Sequence, residues 1–231
     1  MPIILAIETS SELASCALLS GDTVLTRESS GVRTHSQSVL PMVQELLAEA
    51  GLTLDRCTAV AFGAGPGSFT GVRTACGIAQ GLAFGVGLPV IPVVTLPALA
   101  LDCHLRTGAT EILTVLDARM GEVYWAQYRI ADGMPVEVAA PALSVPQDVA
   151  PAPAPDLVRC GNGIAAYPDV FQPAPLGSLL PHAAQVARLA LPELRAGRTL
   201  SAAQAQPLYL RNKVAYTAAE RQAINAAKVV A

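Results

Sequence analysis

Apolar residues recur along the chain with two different periods. IILAI (3–7) is an unbroken apolar run, the pattern of a strand buried on both faces. SCALLS (15–20) and TVLTRES (23–29) flank Gly21-Asp22, a pair suited to a hairpin turn. From Ser36 to Ala50 the period changes: Val39, Val43, Leu46 and Ala50 recur at helical spacing, with Leu40 and Leu47 alongside, and Gly51 ends the run. Pro41 suits this helix if it lies in the first turn, where backbone N–H groups have no intrahelical partner. AVAFGAG (59–65) predicts a further strand, Ser68 to Phe84 a second helix, VIPVV (90–94) another strand, and TLPALAL the start of a third helix. Strands separated by helices imply crossover connections.

The same layout begins again near Glu111. EILTVLDARMGEVYWAQYRIADGMPVEV repeats the opening order of apolar strand, acid, short turn, strand, Gly/Asp turn and strand. Glu8 and Asp117 hold equivalent places, and the turns Gly21-Asp22 and Asp132-Gly133 follow at comparable offsets. The repeat predicts two related lobes, 1–106 and 107–231, with the tail after Arg211 free to pack back on the first. PALSVPQDVAPAPAPD (141–156) reads as a surface connection or semi-rigid spacer, and PHAAQVARLALPELRAG (181–197) as one more amphipathic helix.

Composition narrows the class. Of 231 residues 52% are hydrophobic but only 4% aromatic, so the core is built from Ala, Val, Leu and Ile, which suits an α/β protein. The net charge is -3 and no lysine precedes Lys213, so no basic stripe is available for a phosphate backbone and any RNA role needs a partner. Five widely spaced cysteines without a CxxC pair argue against a disulfide framework or zinc knuckle and for buried thiols in a reducing cytoplasm. MPIILAIETSS has no basic leader region and too short an apolar run for a signal or membrane segment.

The stretch AFGAGPGSFTGVRTACGIAQGLAFG (61–85) resembles a nucleotide-binding loop entering a helix. It lacks the chemistry of a P-loop, because Gly71 is followed by Val72 and Arg73 rather than by lysine and a hydroxyl residue. It also fails the dinucleotide pattern, since Thr70 stands where the third glycine belongs, leaving only a generic helix N-terminus for an anion. Glycine inside a helix costs roughly 1 kcal/mol against alanine. Gly71, Gly77, Gly81 and Gly85 are therefore expected to be compensated by close approach of another backbone, either a strand of the same domain or a helix of another subunit.

Glu8 and Asp117 sit where two-lobed ATPases and sugar kinases place acids that orient magnesium and water. No glycine follows Glu8, and RCGNGI (159–164) carries only a shortened glycine pair, Gly161 and Gly163, where adenosine would be clasped. His35, His104 and His182 have no companion one turn away for a metal, and no GxSxG elbow presents Ser36 or Ser68 as a nucleophile. No catalytic residue, cofactor or metal ligand is expected on these grounds.

ILAIETSS, RTHSQSVLPMVQELL, GPGSFTGVRTACGIAQGLAFG with LPVIPVVTLPALA, LDARMGEVYWA, GNG and PLYLRNKVA, in this order, resemble the bacterial TsaB family, also called YeaZ. The resemblance implies an actin-like (ASKHA) duplicated two-lobed fold, with mixed sheets flanked by helices. It further implies a non-catalytic, cytoplasmic partner of TsaD, which transfers the threonylcarbamoyl group to the adenosine just 3′ of the anticodon in tRNAs reading codons that begin with A. TsaE is the associated ATPase, and tRNA is met only through the complex. On that resemblance the helices 36–50 and 68–84 contact TsaD, or a second copy of the chain when TsaD is absent, through His35, Gln37, Leu40, Val43, Leu47, Arg73, Cys76, Ala79 and Gln80. Gly65, Gly67, Ser68 and Gly71 shape the entry to the second helix, while Glu8, Asp117, Gly161 and Gly163 remain as a worn nucleotide frame. Two rival readings are an ATP-dependent small-molecule kinase of the same fold and a peptidase.

Overall fold

The computed structural model describes residues 1–30, 35–172 and 174–211. Strands β1 (Ile3–Glu8), β2 (Ala14–Ser20), β3 (Thr23–Ser29), β4 (Ala59–Gly65) and β5 (Val90–Val94) form a sheet in the order β3-β2-β1-β4-β5. The hairpin partners β1 and β2 run antiparallel from Ile3↔Ser20 to Glu8↔Ser15, whereas β1 and β4, which cannot be joined by a short turn, run parallel from Ile4↔Ala59. The unbroken apolar run of β1 is explained by cover on both faces. Leu5, Ile7, Val60 and Phe62 face helices α1 (His35–Glu49) and α2 (Phe69–Val86). Ile4, Ala6, Ala59 and Ala61 face helix α5 (Ala183–Arg195) and Ala98 of α3 (Thr95–Thr107).

Strands β6 (Glu111–Arg119), β7 (Glu122–Ala131), β8 (Met134–Ser144) and β9 (Val158–Cys160) form a second sheet in the order β8-β7-β6-β9. The pairings repeat those of the first: β6, β7 and β8 are successive antiparallel neighbours, and β9 lies parallel to β6 as β4 does to β1. Asp132 (φ 51°) and Gly133 (φ 73°) carry the left-handed backbone that the tight β7–β8 turn demands. One face packs on α3 through Leu96, Leu99 and Cys103, and the other on Ile164 of α4 (Asn162–Ala166) and on Phe171. Trp125 on β7 donates its indole N–H to Ser144 Oγ at 3.0 Å, fastening the far end of β8.

Three expectations about local structure change. Pro41 lies inside α1 rather than in its first turn, and both it and Gln37, whose carbonyl loses an N–H partner, are exposed residues. The connection expected from residue 141 begins as strand: Ser144, Leu143 and Ala142 pair with Val123, Tyr124 and Trp125. An edge strand has one side free of ladder bonds and tolerates Pro141. Helix α5, within the stretch 107–231 assigned to the second lobe, packs on β1, β2, β4 and β5. No helix among the described residues is long and apolar enough to cross a membrane.

Candidate functional site: the cleft between the sheets

The ends of β1 and β6 open onto a common cleft of about 500 Å³. Its walls are Ser10–Glu12 after β1, Gly67–Phe69 at the entry of α2, Leu116–Met120 of the β6 turn, Asn162, and the late segment Leu208–Arg211.

The two equivalent acids have different surroundings. Asp117 lines the cleft, accepts the Arg119 N–H on Oδ1 at 2.8 Å, pairs with the Arg119 guanidinium at 2.9 Å, and accepts the Tyr167 hydroxyl at 3.3 Å. Its own backbone N–H donates to Asn162 Oδ1 at 3.0 Å. Glu8 is fully buried below the cleft floor: Oε1 accepts the Ser10 N–H at 2.5 Å, and Oε2 has no hydrogen-bond partner among the described residues. Burial pushes the Glu8 carboxyl above the usual range, against hydrogen bonds from Ser10 and Thr9 that favour the anion. Its side chain occupies the space beside Gly63, where any Cβ would collide with the carboxylate.

The glycine loop is stitched to the end of β1. A Cβ on Gly67 would meet the Ser10 carbonyl oxygen at 2.5 Å, and one on Gly71 would run into the Thr9 carbonyl. Ser68 N–H donates to Ser10 O at 2.7 Å, Gly71 N–H to the capping Ser68 Oγ at 3.4 Å, and Thr9 Oγ1–H to Gly71 O at 2.7 Å. Two of the N–H donors at this helix entry, those of Ser68 and Gly71, are thus engaged by protein. Gly65, at φ 105°, faces the Leu208 carbonyl. The second lobe uses the same device, since Gly161 (φ 109°) abuts the Val115 carbonyl and Gly163 the Leu116 backbone. The glycine pair aligned with an adenosine clasp therefore serves helix–strand contact.

Gly77, Gly81 and Gly85 differ, because a Cβ on any of them would meet no described residue within 4 Å. They form, with Arg73, an exposed stripe on α2, flanked by Phe84 (79% exposed). Of the residues expected at a partner contact, Gln37, Leu40 (45%) and Arg73 are exposed and His35, Leu47 and Gln80 half-buried. Val43, Cys76 and Ala79 point inward, into the core between α1, α2 and the first sheet, because the helical period turns them to the face that covers β1 and β4. His35 Nε2 lies 3.4 Å from Glu12 O at the cleft's edge. Gln80 donates to the Ala202 and Ala205 carbonyls at 3.1 and 3.0 Å.

Sequence reasoning missed Glu12, Asn162, Tyr209 and Arg211 as cleft residues. They come from separate elements and share no spacing pattern, so only the folded chain assembles them. It also missed His182, whose Nδ1 accepts the Ala184 N–H at 3.1 Å to cap α5, and whose pKa is lowered by burial against the opposing pull of Glu28 and Asp102. Among the described residues no three His, Cys, Asp or Glu side chains gather as metal ligands.

Two mixed sheets of repeated strand order, flanked by helices and bordering a common cleft, define a duplicated α/β fold. A family model described as TsaD, tRNA N6-adenosine threonylcarbamoyltransferase, matches residues 18–220, and an Escherichia coli tRNA threonylcarbamoyladenosine biosynthesis protein TsaB is 41% identical over 223 residues, 92% of this chain and 96% of its own length. The chain belongs to the TsaB family, within the breadth of that TsaD model. The Haemophilus influenzae TsaB is 38% identical over 228 residues, covering 92% and 95% of the two chains. YeaZ from Pseudomonas aeruginosa superposes with a TM-score of 0.85 at 41% identity, over 91% of this chain and 100% of that one.

Proposed function

We propose that the chain takes part in forming threonylcarbamoyladenosine on tRNA as a non-catalytic subunit that docks on TsaD, with TsaE joining the pair, in the cytoplasm. The observation that carries the docking half is the outer face of α2, where Gly77, Gly81 and Gly85 stand open beside exposed Phe84. Glycines in a helix cost stability, and among the described residues no contact offsets it. A partner helix approaching closely would. The non-catalytic half is supported by the state of the frame: Glu8 is enclosed, and the glycines beside the cleft are filled by backbone.

Reconstitution of tRNA modification from purified TsaD, TsaE, tRNA and threonylcarbamoyl-AMP, with and without this chain, tests the role. Modification should depend on the chain, and the chain alone should give none. Gly77→Arg and Gly81→Arg replace helical glycine with a good helix former where no described residue lies within 4 Å, so they should keep or raise the melting temperature yet abolish co-purification with TsaD. Retention of TsaD by both variants would place the contact elsewhere.

The kinase reading is favoured by one observation, the 500 Å³ cleft with Asp117 on its wall. Calorimetric titration of the isolated chain with magnesium ATP distinguishes it: heat of binding supports a kinase, and its absence supports the docking subunit.

A further inference from the structure

Four residues carry the late chain from one lobe to the other. Ala202 and Ala205 pack in the first-lobe core, and the Leu208 N–H donates to Ala64 O at the end of β4, at 2.7 Å. Two residues on, Leu210 packs against the second-lobe core. The Arg211 guanidinium then pairs with Glu122 Oε2 at 2.5 Å and donates to the Arg119 carbonyl at 3.2 Å, with its side chain only 10% exposed. Charge-assisted bonds withdrawn from water hold geometry firmly. Across the cleft a second tie joins the lobes, Asn162 Nδ2 lying 3.3 Å from both carboxylate oxygens of Glu12.

The middle of the segment is held differently. The Tyr209 ring lies 6.4 Å from the Phe69 ring, and the Arg73 guanidinium sits 3.2 Å from the Phe69 centroid and 4.8 Å from that of Tyr209. Arg73 is exposed, one helical turn from Gly77 on the open stripe of α2. This strap, which grips both sheets, is therefore steadied by a side chain on the face proposed for docking.

We propose that Leu208–Arg211 is a clasp that sets the angle between the lobes, and with it the width of the cleft, and that Arg73 ties the clasp to a partner seated on α2. The second half rests on the docking reading above. A partner carboxylate that takes the Arg73 guanidinium draws it off the Tyr209 ring and loosens the strap, so docking is felt across the molecule.

The test starts with the full-length chain alone. Hydrogen exchange at the Leu208 amide reads the clasp. Electron–electron distances between spin labels at Gln44→Cys and Glu137→Cys, exposed positions on α1 and β8, read the lobe angle, since the native cysteines are buried. Arg211→Gln should speed Leu208 exchange about tenfold and broaden the distance distribution. Tyr209→Ala should act in the same direction, and Arg73→Ala should give roughly a threefold acceleration. Folded Arg211→Gln and Tyr209→Ala variants with unchanged exchange and distances overturn the clasp, as does loss of the whole fold in both, which would make the segment part of the core. Adding TsaD should accelerate Leu208 exchange in the wild type and not in Arg73→Ala. Binding without acceleration overturns the coupling and leaves docking intact, whereas no binding overturns docking and leaves the clasp standing on the measurements made alone.

Discussion

The two lobes share a strand order and use glycine the same way, yet they treat their terminal acids oppositely. In each, the helix after the fourth strand enters against the end of the first strand, with Gly67 and Gly71 on Thr9 and Ser10 in one, and Gly161 and Gly163 on Val115 and Leu116 in the other. The acid that follows is sealed in the first lobe and open in the second: Glu8 is fully buried with an oxygen unbonded, while Asp117 faces the cleft with Arg119 and Tyr167. Tight backbone contact is thus common to both halves, while access to a carboxylate has been kept in only one. A duplicated frame can preserve its packing rules after its chemistry has become lopsided.

The sharpest way to break the first half of this comparison is to fill the shared contacts. Gly71→Ala and Gly161→Ala should each cost roughly 3 kcal/mol or more in urea denaturation, because the new Cβ meets a carbonyl and Gly161 also holds a left-handed φ. A mild effect at only one of them would show that the lobes do not share the device.

The acids should then diverge. The folded pKa of Glu8 is raised, so its contribution is present below the unfolded value near 4.5 and is lost as pH rises through the folded value. Glu8→Gln should therefore raise the denaturation midpoint at pH 8 and flatten its decline with pH. Asp117→Asn, whose partner Arg119 is 79% exposed, should shift stability by no more than about 1 kcal/mol.

His182 offers a third measure, of the helix that binds the first sheet. Folding holds it neutral by burial, so its contribution is present above the unfolded value of 6.5 and disappears as pH falls through the lowered folded value. His182→Ala should cost about 1 kcal/mol at pH 8, the worth of a cap, and weaken the acid dependence. Smallest is Gly77→Ala on the open stripe, which should stabilise the isolated chain by up to about 1 kcal/mol.

Much of this frame was legible. β4 and β5 begin and end where their apolar runs do, and α1 and α2 start within one residue of their periodic patterns. The duplication could be read from Glu8, Asp117 and the two turns because strand, acid and turn are local signals. Long-range placement was not local: nothing in PHAAQVARLALPELRAG states which sheet will receive its apolar side. Nor does the helical period of α1 and α2 separate core from outer face, and so Val43, Cys76 and Ala79 were grouped with Leu40 and Arg73. The glycine-rich loop entering a helix was legible as a pattern, whereas the filling of Gly71 by Thr9 depends on a contact across sixty-two positions, the separation of their hydrogen bond.

Trp125, seated on β7 against Ser144, is the chain's single indole. Its emission therefore monitors melting of the second sheet without contribution from the first. A thermal scan followed in parallel by fluorescence and far-ultraviolet dichroism reports whether the halves come apart together or one after the other.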